Sequence, residues 1–116
     1  MYWGYHLMLD CSKCNENIKD RDQIYLFVKE LVAAIDMVAH GEPIIEYLLP
    51  GDPKQGYSLM QLITTSNICA HFVEPDMTAY IDIFSCKEFD REIAQAVVKK
   101  YFGPEKFQIN YLTRQA

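Results

Sequence analysis

Long hydrophobic runs are missing from this 116-residue chain. Stretches such as Leu31 to Ile35 fall far short of the roughly 20 apolar residues that a helix needs to cross a bilayer, so no helical membrane span is expected. The N-terminal Met1-Tyr2-Trp3-Gly4 has neither the basic n-region nor the apolar h-region of a secretory signal, and a cytoplasmic location is the expectation. Basic blocks are missing too: no Lys/Arg run exceeds two residues, and the net charge is −5. Such a surface repels polyanions, which argues against nucleic acid or an anionic membrane as partner; a cationic small molecule suits it better. Cysteine is scarce, with four in the chain, and only Cys11 and Cys14 stand at a metal-like spacing. Without a second Cys-x-x-Cys or a paired His motif, neither a metal site nor a disulfide framework is expected. No helix-forming run follows Cys14 directly, so a redox dithiol is not expected either, and the cysteines read as reduced thiols, three of them merely packed. Glycine and proline, five of each, form no low-complexity segment and no linker, so residues 1–116 read as a single domain.

Half of the residues are apolar, which is ordinary globular composition. A chain this short buries only about 65% of its unfolded surface, so a second copy would add stability. Tyr5 to Asp10 alternates in the manner of a strand. Asp20, with Gln23 three residues on, marks a helix start, and Ile24, Phe27, Val28, Leu31, Ile35 and Val38 recur at helical spacing up to Gly41. Pro43 forbids continuation. Ile44 to Leu49 reads as a strand closed by the turn cluster Pro50-Gly51-Asp52-Pro53. Tyr57 to Thr65 is the next strand, and Asn67 to Phe72 a partner after a break near Ser66. In Thr78 to Ser85, Ile81 and Ile83 point one way while Tyr80, Asp82 and Phe84 point the other. Asp90 caps a second helix carrying Ile93, Val97 and Tyr101, closed by Gly103 and Pro104; Phe107 to Thr113 is the last strand. This order predicts an α/β (α+β) fold, a two-layer sandwich with helices on one side of the sheet.

Ser66, His71 and Cys86 stand out by their spacing. The segment from Gly56 reads Gly-Tyr-Ser58, then an apolar strand, then Ser66, Asn67 and, five residues after Ser66, His71; the strand from Tyr80 ends Asp82-Ile-Phe-Ser-Cys86. This pattern resembles the short bacterial and archaeal S-adenosylmethionine decarboxylases: Gly-x-Ser, an apolar strand, a Ser, a His five residues on, and a strand ending Asp-x-Phe-Thr/Ser-Cys. The likeness runs from Gly4-Tyr-His-Leu through Asp10 and Cys14 to Cys86. It implies a mainly antiparallel sheet, pairing as a homodimer, S-adenosylmethionine as substrate, and a role in spermidine synthesis.

The resemblance also implies the chemistry. Decarboxylating an amino acid leaves electrons on its α-carbon, and an electron sink is needed. In this family the sink is a pyruvoyl group made from the chain, here from Ser66, whose hydroxyl would attack the Thr65 carbonyl and convert amide to ester. Elimination then cuts the chain between residues 65 and 66. His71 is the expected base for the Ser66 α-proton, since its ordinary pKa lies near neutrality. Ser58 is implied as the group that polarises the peptide carbonyl, and on an unbroken strand its eight-residue offset would put it on the same face as Ser66. Cys86 is implied as the proton donor after carbon dioxide leaves.

The chain departs from the family in places. Thr65 and Asn67 replace the family's Glu and His around the cleaved bond, and Val73-Glu74-Pro75 stands where the family has Trp-Pro-Glu. The family's Glu contacts the substrate ribose; Glu74, or else Asp76, is expected to supply that carboxylate. A longer connection, Gly51 to Gln55, precedes Gly56. Pyruvoyl-dependent decarboxylation of ornithine or arginine, or an uncleaved binding or regulatory homologue, are the alternatives.

Overall fold

A computed structural model describes all 116 residues. The first strand, β1 (Gly4–Ser12), buries Leu7, Leu9 and Cys11 on one face and presents His6, Met8 and Asp10 on the other. A single 3-10 turn, Glu16–Lys19, follows where no helical segment is expected, with Asn15 capping it through the Asn17 amide. Helix α1 (Arg21–Ala34) starts where Asp20 predicts. Its carboxylate accepts from the Asp22 and Gln23 amides at 2.9 and 3.2 Å, a cap worth about 1 kcal/mol.

The helix ends well before the expected Gly41. Asp36 adopts a left-handed φ of 59°, its amide donates to the Ala33 carbonyl, and the Met37 amide donates to Val32. That pair of bonds is a Schellman stop, made with aspartate in place of the usual glycine, and it turns Val38 out to solvent.

Strands β2 (Ile44–Leu48), β3 (Gly56–Ile63), β4 (Ser66–Val73) and β5 (Thr78–Ser85) follow, then α2 (Arg91–Phe102) and β6 (Lys106–Arg114). Asp90 caps α2 as expected, and Gly103, at φ 47°, closes it. The buried stripe, however, is Ala94, Val97, Val98 and Phe102, while Ile93 is exposed and Tyr101 only half-buried. Phe102 turns the helix inward by packing on Phe27 and Phe72, at ring separations of 4.8 and 5.0 Å. Tyr101 instead keeps its hydroxyl on Glu30 at 2.9 Å.

The six strands form one antiparallel sheet in the order β2-β3-β4-β5-β1-β6. Both helices cover one face, as the α/β sandwich predicts, and Leu59, Ile68, Ile81 and Leu7 supply the sheet side of the core. No helix is long and apolar enough to cross a membrane. The opposite face is bare. Register aligns its side chains in rows: Glu46, Ser58, His71, Tyr80 and Asp10 in one, Ile44, Met60, Cys69, Asp82 and Met8 in the next, and Leu62, Asn67, Phe84 and His6 in a third.

All four cysteines are free thiols. Burial pushes Cys11 up to about 12, with Cys14 and Asp10 adding to it, and pushes Cys14 up to about 11. The thiolate is the reactive form, so a raised pKa and a buried sulfur both slow alkylation. Iodoacetamide at pH 8 should therefore modify exposed Cys86 and reach Cys11 and Cys14 only after denaturation. Peptide mapping that finds Cys11 labelled as fast as Cys86 would contradict this placement.

Candidate active site

Two clusters sit at opposite ends of β4. The first begins at Gly56, whose φ of 154° and close approach to β4 leave no room for a side chain: a Cβ there would overlap the Phe72 carbonyl oxygen. This approach sets the register that places Ser58 opposite His71, with Ser58 Oγ 3.0 Å from His71 Nδ1. Both line a cavity of about 470 Å³ whose wall also includes Leu48, Lys54, Asp76 and Tyr80. Glu74 lies beside it, accepting from the Tyr47 hydroxyl at 2.8 Å. That hydrogen bond, and then burial, push the Tyr47 phenol up, so it remains a donor to Glu74.

The second cluster is the hairpin between β3 and β4. Its connection is only two residues, Thr64 and Thr65, because Ile63 pairs with Ser66. Favoured two-residue hairpin turns need a positive φ within the turn. The β-branched threonines do not adopt one; Ser66 does, at φ 152°. That region is populated almost only by glycine and costs a serine about 1–3 kcal/mol. The Thr65 carbonyl, which precedes this strained residue, accepts from the Cys86 backbone amide at 2.8 Å. The Cys86 side chain is exposed at the end of β5.

The eight-residue offset between the serines therefore does not run along one unbroken strand. Ser58 is on β3 and Ser66 opens β4, five positions from His71, or about 17 Å at the usual rise per residue. The structure brings Ser58 to His71, and Cys86 to the 65–66 peptide, but it does not bring the two pairs together within one chain. Between them lies Cys69, whose thiol is pushed up by burial and then by Asp82. Asp82 is itself 3.3 Å from His6 Nε2.

A family profile described as S-adenosylmethionine decarboxylase matches residues 5–115. The chain belongs to that family. It is 29% identical over 115 residues to an S-adenosylmethionine decarboxylase proenzyme of Clostridium botulinum strain Langeland, covering 97% of this chain and 95% of the relative. The homologue from strain Loch Maree is 28% identical over the same shares. The solved adenosylmethionine decarboxylase of Aquifex aeolicus VF5 superposes with a TM-score of 0.83 at 16% identity, over 99% of this chain and 92% of that one. The family is one of carboxy-lyases, and its fold is the sandwich described above.

Spacing alone missed two features of this decarboxylase-family site. The Cys86 amide is paired to the Thr65 carbonyl through its backbone, and a backbone bond leaves no trace in residue identity. Lys54 reaches the cavity from the Gly51–Gln55 connection, and the extra length of that connection is the signal that could have pointed to it.

Proposed function

We propose that this chain is a proenzyme that cuts itself between Thr65 and Ser66 and then acts as a pyruvoyl-dependent S-adenosylmethionine decarboxylase, supplying the aminopropyl donor for spermidine synthesis. The observation that carries the reading is the peptide at 65–66, strained at Ser66 and held by the Cys86 amide at its carbonyl. When Ser66 Oγ attacks the Thr65 carbonyl carbon, negative charge grows on the oxygen that already faces this N–H, the geometry of an oxyanion hole. The C–N bond breaks and nitrogen takes the hydroxyl proton. Loss of the Ser66 α-proton then expels the Thr65 carboxylate, and water replaces the nitrogen to leave a ketone. A pyruvoyl group at this position would supply the electron sink, and Cys86, which directly follows Ser85, the β5 partner of Ser66, would return a proton.

His71 cannot act on Ser66 of its own chain across ~17 Å, since a base works at about 2.6–3.2 Å. A second copy supplies the missing half. The bare sheet face exposes Ile44, Met60, Leu62 and Leu112, and an apolar surface of this kind marks an interface. A two-fold pairing of these faces sets the Ser58–His71 end of one copy against the Ser66–Cys86 end of the other, twice per homodimer. Co-expression of Ser66→Ala with His71→Ala tests this. In mixed dimers the His71→Ala chain should be cut, although neither variant is cut alone; no cutting in the mixture would place His71 elsewhere in the scheme.

The cavity wall shifts the choice of ribose carboxylate from Glu74 to Asp76, because Asp76 lines the cavity whereas Glu74 is engaged by Tyr47. One carboxylate bonded to both ribose hydroxyls would orient a nucleoside, and the acid favours the sulfonium charge. Asp76→Asn should raise KM for S-adenosylmethionine roughly tenfold, the loss of one charge-assisted bond of about 1.5 kcal/mol, with Glu74→Gln milder and self-cleavage unaffected in both. The same carboxylate would also meet the distal cation of ornithine or arginine. Carbon dioxide release from the three substrates decides among them, and silence of both variants would argue against a nucleoside.

A further inference from the structure

The side-chain hydroxyl of Thr65 is tied down on the helix side of the sheet, away from the bare face. Ser85 Oγ donates to Thr65 Oγ1 at 2.8 Å and accepts from the Lys87 amide at 2.9 Å; Thr65 Oγ1 in turn donates to Met37 Sδ at 3.3 Å. Ser85 is fully buried. The segment after α1 wraps the same hairpin. Thr64 donates its amide to the Val38 carbonyl and His40 to that of Leu62, both at 2.9 Å, and Ala39 bridges Ile63. Lys87 clamps this segment from the other side, reaching the Asp36 carbonyl and carboxylate at 2.7 and 2.9 Å.

We infer that Ser85 is a positioning residue for self-cleavage, acting through Thr65. The inference rests on the proposed cut at 65–66. A peptide plane is fixed when the residue before it is held at both its carbonyl and its side chain. Here the carbonyl is held by the Cys86 amide and the side chain by Ser85 and Met37. With both anchors in place, the turn cannot relax by rotating Thr65. The positive φ therefore stays on Ser66, and the Thr65 carbonyl stays on its N–H donor. In the first step the Ser66 Oγ–C bond forms, the Thr65–Ser66 C–N bond breaks, and the hydroxyl proton passes to nitrogen. Ser85 touches none of these atoms and sets their orientation only, which is the kind of control in which a displacement of about 1 Å costs on the order of 10²-fold.

The test follows cutting by denaturing mass spectrometry after cell-free synthesis of the full chain. Ser85→Ala and Thr65→Val should each slow cutting by about 10–100-fold, and the double variant should be no slower than the slower single one, because the two hydroxyls act as one device. Ser85→Thr, which keeps the hydroxyl, should stay within about threefold of the native rate. Hydroxylamine, which attacks esters far faster than amides, should not hasten cutting of Ser85→Ala, since the amide is the species that persists. Thr65→Val carries the test if Ser85→Ala fails to fold. Native rates in both single variants would overturn the role of Ser85 while leaving self-cleavage standing. So would multiplicative slowing in the double variant, or rapid hydroxylamine release from Ser85→Ala, which would put the fault in the later elimination. A folded native chain that is never cut removes both this role and the reading beneath it.

Discussion

Ser66→Ala should leave one intact chain where the native protein yields residues 1–65 and 66–116. Alanine removes the only nucleophile that adjoins the Thr65 carbonyl in the scheme, and an amide left to water alone is stable for far longer than any experiment. The effect is therefore a complete loss and not a slowing. The substitution keeps a Cβ at φ 152°, so it carries the same backbone strain as serine and should fold alike. Denaturing mass spectrometry reads the outcome directly. A carbonyl-reactive hydrazine should label the 66–116 fragment of the native protein and nothing in the variant. A native protein that persists as a single full-length species after prolonged incubation would discard the enzyme reading in favour of an uncleaved binding homologue.

Cys86→Ala should separate the two uses of Cys86. Its amide holds the Thr65 carbonyl, and alanine retains that N–H, so the chain should still be cut. The thiol is the proposed proton donor after decarboxylation, and its removal should lower turnover about 10²-fold or more, within the range for a general acid. Cys69→Ser is the control: it sits mid-sheet between Met60 and Asp82, its thiol held neutral by burial, and its loss should change turnover by only several-fold. Turnover in Cys86→Ala equal to native would take the proton donor's role away from this residue.

Local patterns were readable in the chain, and long-range choices were not. The alternation of Ile81 and Ile83 against Tyr80, Asp82 and Phe84 is a property of neighbouring residues, and β5 has the predicted span. Helix starts at Asp20 and Asp90 were equally plain, because a cap is made within three residues. The end of α1 was hidden by an aspartate doing what glycine usually does. The inward face of α2 was set by Phe27 and Phe72, which lie far from Phe102 in sequence. At the site, spacing picked out Ser58, Ser66, His71 and Cys86, but Thr64-Thr65 has no glycine or asparagine to announce a tight hairpin. The two strands were therefore read with their break at Ser66, whereas the turn is Thr64-Thr65 and Ser66 already pairs with Ile63 as the first residue of β4.

The strand order has a consequence for the life history of the protein. Residues 1–65 contribute β1, β2 and β3, and residues 66–116 contribute β4, β5 and β6. In the sheet these alternate, with β1 of the first piece wedged between β5 and β6 of the second. After the cut, pulling the pieces apart means opening the seams β3–β4, β5–β1 and β1–β6 together, so the nicked protein should hold as one particle. Once denatured, though, the two pieces must find each other by diffusion, and refolding of the single chain, unimolecular for the precursor before it pairs with a second copy, becomes concentration-dependent. The proposed cut would thus exchange a chain's capacity to refold alone for a reactive end group.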